Sequence, residues 1–236
     1  MDSLTEQVEL VGIPHYAQGE ADGLCVYYAL SMMLAALHPA WGPTMHEAPR
    51  YSWKGSPVFQ GLRRFYRSDR LFKQKVAEWF FKGMSTGEAT AILNRFFQQH
   101  FRSHARYFVR RPVRARRVKR LKYSRRKRDI ARTWTVQDVL VAINWHLPVI
   151  VTGGGLGLHA VLAVGYSARG RGDRHICLLD PAQIRAEWQP CGEVFIGDAD
   201  IIMPVQDQFR EYRPSRVITI GGAPKFEPWK PEYLGE

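Results

Sequence analysis

Four residues of this 236-residue chain have the side-chain types of a nucleophilic thiol site and follow one another in a workable order. Cys25 lies in DGLCVYYALSMML, with Gln18 upstream in the same segment; His159 opens the run HAVLAVGY; Asp180 closes HICLLDPA. A thiolate can attack an acyl carbon, and an imidazole can take up and return the proton. A carboxylate can orient that imidazole through its second ring nitrogen, and an amide N–H can stabilise an oxyanion. Folds assemble such sites from distant parts of the chain, so the long separations are no obstacle. Taken singly, a cysteine on an apolar helix is more often core, a histidine at a strand start is more often structural, and Asp-Pro is a common turn.

The elements that must position these residues are legible in the hydrophobic pattern. Residues 24–37 predict a helix, because Val26, Ala29, Leu30, Met33, Leu34 and Leu37 recur at intervals of three and four and mark one buried face. Asp22 is the expected N-cap, and His38-Pro39 ends the run. Cys25 then falls in the first helical turn, where unpaired N–H groups and the helix dipole favour a thiolate over a thiol. Residues 39–60 read as a surface loop. Residues 62–82 predict a helix with Phe65, Leu71, Phe72, Val76 and Phe80 inward. Ser85 followed by Glu88 has capping-box spacing, ahead of a helix burying Ala89, Ile92, Leu93, Phe96 and Phe97. Thr135 caps a further helix lined by Val136, Val139, Leu140 and Ile143. Strands are expected at 149–152, at 159–166 paired with 175–180, and around Phe195 and 200–203. Helices with antiparallel strands predict an α+β architecture, with the nucleophile helix packed on the sheet.

Composition narrows the class. Hydrophobic residues make up 45% of the chain, enough for a sizeable core. The three cysteines, Cys25, Cys177 and Cys191, have neither disulfide-framework nor zinc-ligand spacing. His15, His38, His46, His100, His104, His146 and His175 show no metal-like pairing with acidic residues; His100 and His104, four apart, read as a solvated helix end. No metal and no cofactor is expected. The start, MDSLTEQVELVG, has no signal-peptide pattern, and no apolar run reaches the about 20 residues that cross a bilayer. A cytoplasmic protein is the expectation, with signal-independent export left open.

The formal net charge of +12 is concentrated in one place. Residues 102–132 hold fifteen Lys and Arg against the single acid Asp129, so the rest of the chain is near neutral. Such a segment attracts anions, whether nucleic acid, an anionic membrane or an acidic protein partner, and Tyr107, Phe108, Tyr123 and Trp134 add stacking surfaces. A solvated insertion is the plainer reading, and VRRPVRARRVKRLKY also fits an exposed two-stranded hairpin. The chain is expected to be one domain, 1–236, with a basic insertion at about 102–132 and an extended tail from about 222.

The set Q…DGLCVYYALSMML, a Pro-Val-Ile-Val strand, GLHAVLAVGY and CLLDPA resembles papain-like cysteine peptidases, closest to their C39-like branch, over residues 14–38 and 134–183. The resemblance implies a papain-like fold and cleavage of a peptide or protein amide bond through a thioester, with related acyl transfer or deamidation using the same groups. It implies Cys25 as nucleophile, His159 as base, Asp180 as orienting carboxylate and Gln18 as oxyanion donor. The glycine loop GGGLGL before His159 is expected to wall the substrate groove at Gly157 and Leu158, with Trp145 and Trp188 as further apolar wall residues. The family pattern is interrupted by Gly23-Leu24 between Asp22 and Cys25, and the Gln18 spacing is one longer than usual. Those departures motivate a second expectation: a catalytically inactive papain-like binding module that recruits an anionic partner through its basic segment.

Overall fold

In the computed structural model, residues 7–13, 15, 24–37, 68–114, 136–167, 174–183, 186–195, 198–209 and 217–218 are described. The expectations for Gln18, Asp22, Thr135, the loop at 39–60, the bulk of the basic segment beyond Arg114 and the tail lie outside them. In chain order the elements are β1 (Gln7–Leu10), α1 (Cys25–Leu37), α2 (Asp69–Lys82), α3 (Thr86–His100), β2 (Phe108–Arg114), α4 (Val136–Asn144), β3 (Val149–Gly153), β4 (Ala160–Ser167), β5 (His175–Leu179), β6 (Glu187–Pro190), α5 (Cys191–Val194), β7 (Asp198–Pro204) and β8 (Val217–Ile218).

Every strand pair among the described residues is antiparallel, and the class is α+β. The sheet runs β2-β7-β3-β4-β1-β8, with β5 also on β4 and β6 beyond it. Strand β4, AVLAVGYS, is a continuous apolar run, the pattern of a strand buried on both faces. Its first half pairs with β3, from Thr152↔Ala160 to Val149↔Ala163, and its second half with β1, from Glu9↔Gly165 to Gln7↔Ser167. Strand β5 overlaps both stretches, from Leu162↔Leu179 to Ser167↔His175. β3 and β1 therefore share one edge of β4, and β5 takes the other. A bulge between Ala163 and Gly165 adds one residue to β4 relative to β5.

Helix α1 packs on β3, β4 and α3. The expected single buried face is too narrow a description: Tyr27, Tyr28, Met32 and Ala35 are buried as well. A helix apolar all round must be enclosed, and the buried Ser31 donates its hydroxyl hydrogen to the Tyr27 carbonyl at 2.9 Å. The helix ends at Leu37, before His38-Pro39.

Helix α2 starts at Asp69, with the Ser68 hydroxyl accepting from the Leu71 N–H. Among its described side chains Trp79 is buried, whereas Leu71, expected inside, is exposed; Phe72, Val76 and Phe80 lie outside the described side chains. The Trp79 indole N–H donates to Glu88 Oε2 at 3.0 Å, and this bond turns the Trp79 side of α2 toward α3. Ser85 caps α3 as its spacing predicts, accepting from the Glu88 N–H at 3.2 Å. The Glu88 carboxylate meets Trp79 and the Lys75 ammonium. Asn94 then fixes the entry to β2: its Oδ1 accepts from the Tyr107 and Phe108 N–H groups, and its amide donates to the Phe108 carbonyl at 2.9 Å.

The first stretch of the basic segment belongs to the sheet. β2 pairs with β7 from Phe108↔Pro204 to Arg114↔Asp198, so residues 108–114 form a strand of the sheet, and the second arm of the expected hairpin lies outside the described residues. Among the described residues β2 is the end strand of the sheet order, a position where a proline within a strand is tolerated. Arg110 binds Asp200 at 2.6 Å, and Thr86 donates to the same carboxylate oxygen. Tyr107 and Phe108, expected as stacking surfaces, are buried against Phe97, Phe101 and Phe209. Phe195, expected in a strand, follows the short helix α5, its N–H bonded to the Cys191 carbonyl.

Gly165 sits where β1, β4 and β5 meet. A Cβ there would lie 2.8 Å from the Val8 carbonyl oxygen and 3.0 Å from Cys177 Cβ. Neither neighbour is the free end of a flexible side chain. Gly165→Ala is therefore expected to destabilise the protein by about 1–3 kcal/mol, the range for overpacking a close-packed interior, measured as a lowered urea midpoint at unchanged m-value.

Candidate active site

Cys25, His159 and Asp180 come from the ends of three elements. Cys25 is the first residue of α1, so its N–H is among those without an acceptor inside the helix. His159 immediately precedes β4, and Asp180 immediately follows β5. Both expected strands stop one residue short of these side chains. Extending the β4–β5 register by one residue sets Asp180 opposite Val161. Residues two apart on a strand share a face, so His159 and Asp180 become diagonal neighbours.

The His159 Nε2–H donates to Asp180 Oδ1 at 2.5 Å. The same oxygen accepts from the Ala182 N–H at 2.7 Å, which fixes the carboxylate against its own turn. Cys25 lies near enough to the imidazole to raise its proton affinity. Nε2 is the ring nitrogen engaged by Asp180. Cys25 is buried, and His159 and Asp180 are largely so.

The electrostatics are mutually consistent. His159 is pushed up from 6.5 to about 9, first by the hydrogen bond to Asp180 and then by that to Cys25, against the opposing effect of burial. Burial works to raise the Asp180 carboxyl, but the bonds from His159 and Ala182 and the charges of His159 and His15 outweigh it, so it lies below its ordinary value. The arrangement favours an imidazolium held by a carboxylate, with Cys25 nearby. Cys177 and Cys191 differ: burial pushes them up to about 12 and about 11. All three cysteines are free.

The loop before His159 is held from beneath. Residues Gly154–Leu156 form a single 3-10 turn, and the His159 N–H bonds back to the Leu156 carbonyl at 3.2 Å. A Cβ on Gly155 would run into the Glu193 carbonyl of α5, so glycine permits this docking. Gly157 adopts φ 64°, with nothing within 4 Å of a built Cβ. A valine there would strain the turn itself and would not report on substrate contact. Leu158 is fully exposed beside His159.

The structure does not bring the two tryptophans to this cluster. Trp145 follows α4 next to Asn144, which accepts from the Tyr166 hydroxyl near the far end of β4. Trp188 lies on β6 opposite Cys177, partly buried against the core. Gln18 lies outside the described residues. One residue was missed from the sequence: His15, whose Nε2–H donates to the Asp180 main-chain carbonyl at 2.6 Å. No local pattern links positions 15 and 180; the only available signal was that His15 precedes Gln18 and Cys25 in the same segment.

Among the described residues, no group of three or more His, Cys, Asp or Glu could hold a metal ion, and no helix is long and apolar enough to cross a membrane. No family model matches the chain, and no curated protein matches it.

The raised value of His159 carries a pH signature. The folded state favours the protonated imidazole, so this stability is fully present below about pH 6.5 and is lost as pH rises through about 9. The urea midpoint of the wild type should fall across that window. Asp180→Asn should flatten the fall, because the amide no longer holds the imidazolium charge.

Proposed function

We propose that this chain is a papain-like cysteine peptidase of the C39-like kind, cleaving an amide bond in a peptide or protein. One observation carries the reading: the His159 imidazole is bonded to Asp180 and lies near enough to Cys25, the first residue of a buried helix, for Cys25 to raise its proton affinity.

The chemistry follows from the geometry. The Nδ1–H of the imidazolium stabilises the Cys25 thiolate, which attacks the scissile carbonyl carbon and forms a C–S bond. The carbonyl oxygen takes the negative charge and is met by the Cys25 backbone N–H; Gln18 is the proposed second donor. His159 passes its Nδ1 proton to the leaving nitrogen, the C–N bond breaks, and a thioester remains. Water then gives a proton to the neutral imidazole and its oxygen to the acyl carbon. The C–S bond breaks, the acid leaves, and the thiolate–imidazolium pair is restored. Asp180 stays ionised and sets the ring orientation throughout. An amine in place of water gives acyl transfer, and a glutamine side-chain amide as substrate gives deamidation.

Reactivity tests the proposal directly. Iodoacetamide at pH 6–7 should alkylate Cys25 and spare Cys177 and Cys191, which burial holds as thiols. His159→Ala should slow that alkylation sharply, and comparison of new protein termini in cells expressing wild type or Cys25→Ala should reveal cleavages present only with wild type. If alkylation of Cys25 is slow and indifferent to His159→Ala, the peptidase reading fails and the inactive binding module takes its place.

Leu158 is the proposed apolar contact for substrate. Because its side chain adds nothing to the core, Leu158→Glu should change stability by no more than about 0.5 kcal/mol. On a substrate identified from those termini it should raise KM while leaving the alkylation rate of Cys25 unchanged.

A further inference from the structure

Asp180 accepts hydrogen bonds on both its main chain and its side chain. Its carbonyl oxygen takes the Gln183 N–H at 3.0 Å, which closes the turn after β5, and the His15 Nε2–H at 2.6 Å. Its Oδ1 takes the Ala182 N–H at 2.7 Å and the His159 Nε2–H at 2.5 Å. Three of these bonds come from the turn itself or from the imidazole it orients. The fourth crosses 165 positions of sequence and ties the turn to the segment that leads to Cys25.

The fold delivers His15 to that carbonyl. β1 runs antiparallel along β4, with Gln7 opposite Ser167 and Glu9 opposite Gly165, so the chain leaving β1 travels toward the His159 end of β4. Gly12 turns it with φ 72°, and Ile13 packs on the core. His15 is partly buried at the end of this path. A carbonyl has two lone pairs, and here both are used. Removing His15 would leave the Asp180 peptide held by its turn alone. That peptide could then rotate, carrying the carboxylate away from Nε2. Among the described residues, the titratable groups around Asp180 are His159, Cys25 beyond it, and His15.

We infer that His15 is a positioning residue: by bonding the Asp180 carbonyl it fixes the carboxylate against His159 and so sets the protonation of the imidazole. The inference rests on reading Cys25, His159 and Asp180 as one site. It assigns His15 no contact with substrate.

The test follows His159 in the full chain by 1H–15N NMR across pH, a readout that needs no substrate. His15→Leu should lower the proton affinity of His159 about tenfold, one pKa unit. His15→Gln, which keeps an N–H donor near the place of Nε2, should restore most of it. Unchanged His159 titration in a folded His15→Leu protein overturns the inference, as does a His15→Gln protein that behaves like His15→Leu. If His15→Leu does not fold, the wild type decides: 15N shifts must show His15 Nε2 protonated at neutral pH, and an unprotonated Nε2 overturns the inference. The alkylation experiment fails separately. Ordinary Cys25 reactivity with a His15-dependent His159 titration sinks the peptidase reading and leaves the positioning role. Activated Cys25 with a His15-independent titration does the reverse.

Discussion

Strand β4 is the constraint on which the rest of the molecule depends. It carries β3 and β1 in succession on one edge and β5 on the other, while α1 and α4 pack on it. Burying a strand so completely satisfies its backbone groups only if every partner is in register. The register then acts at a distance. It delivers His159 from one strand end, Asp180 from the neighbouring strand's end and His15 from the chain leaving β1. The site is therefore a product of how β4 is enclosed, and Gly165 matters to it although it lies well away from the imidazole.

The helix that presents Cys25 contributes through its burial as much as through its end. Because α1 is enclosed all round, its position relative to β3 and β4 is set by close packing, and close-packed contacts leave little room for drift. The thiol is thus held near the imidazole by a close-packed helix, and the carboxylate is brought to Nε2 by a strand and its turn. Three different parts of the fold meet at one ring, so its orientation is over-determined.

Much of this was legible in the sequence, for identifiable reasons. Cys25, His159 and Asp180 stand at the ends of strongly patterned apolar runs, and the ends of buried elements are where polar side chains can meet. Ser85 as a cap and the α+β class were legible because capping and periodicity are local. What was missed depended on tertiary pairing. Trp79 faces inward because Glu88 draws its indole N–H, which the spacing of apolar residues in α2 does not show. β2 was obscured by its arginines: charge suggested an insertion, whereas Phe108 and the ladder to β7 make it part of the sheet. His15 is the clearest case, since its partner is fixed by the path of β1 along β4.

The docking of the glycine turn onto α5 joins main chain to main chain. Gly155 meets the carbonyl of Glu193, and the Glu193 side chain points out to solvent. A contact of that kind is indifferent to the chemical identity of one partner and intolerant at the other. Position 193 is free to change with the surroundings of the protein, whereas position 155 admits only the residue without a side chain. The support beneath His159 can thus persist while the surface around it diversifies, so the outer face of α5 is open ground for new recognition properties that leave the thiol, imidazole and carboxylate where they are.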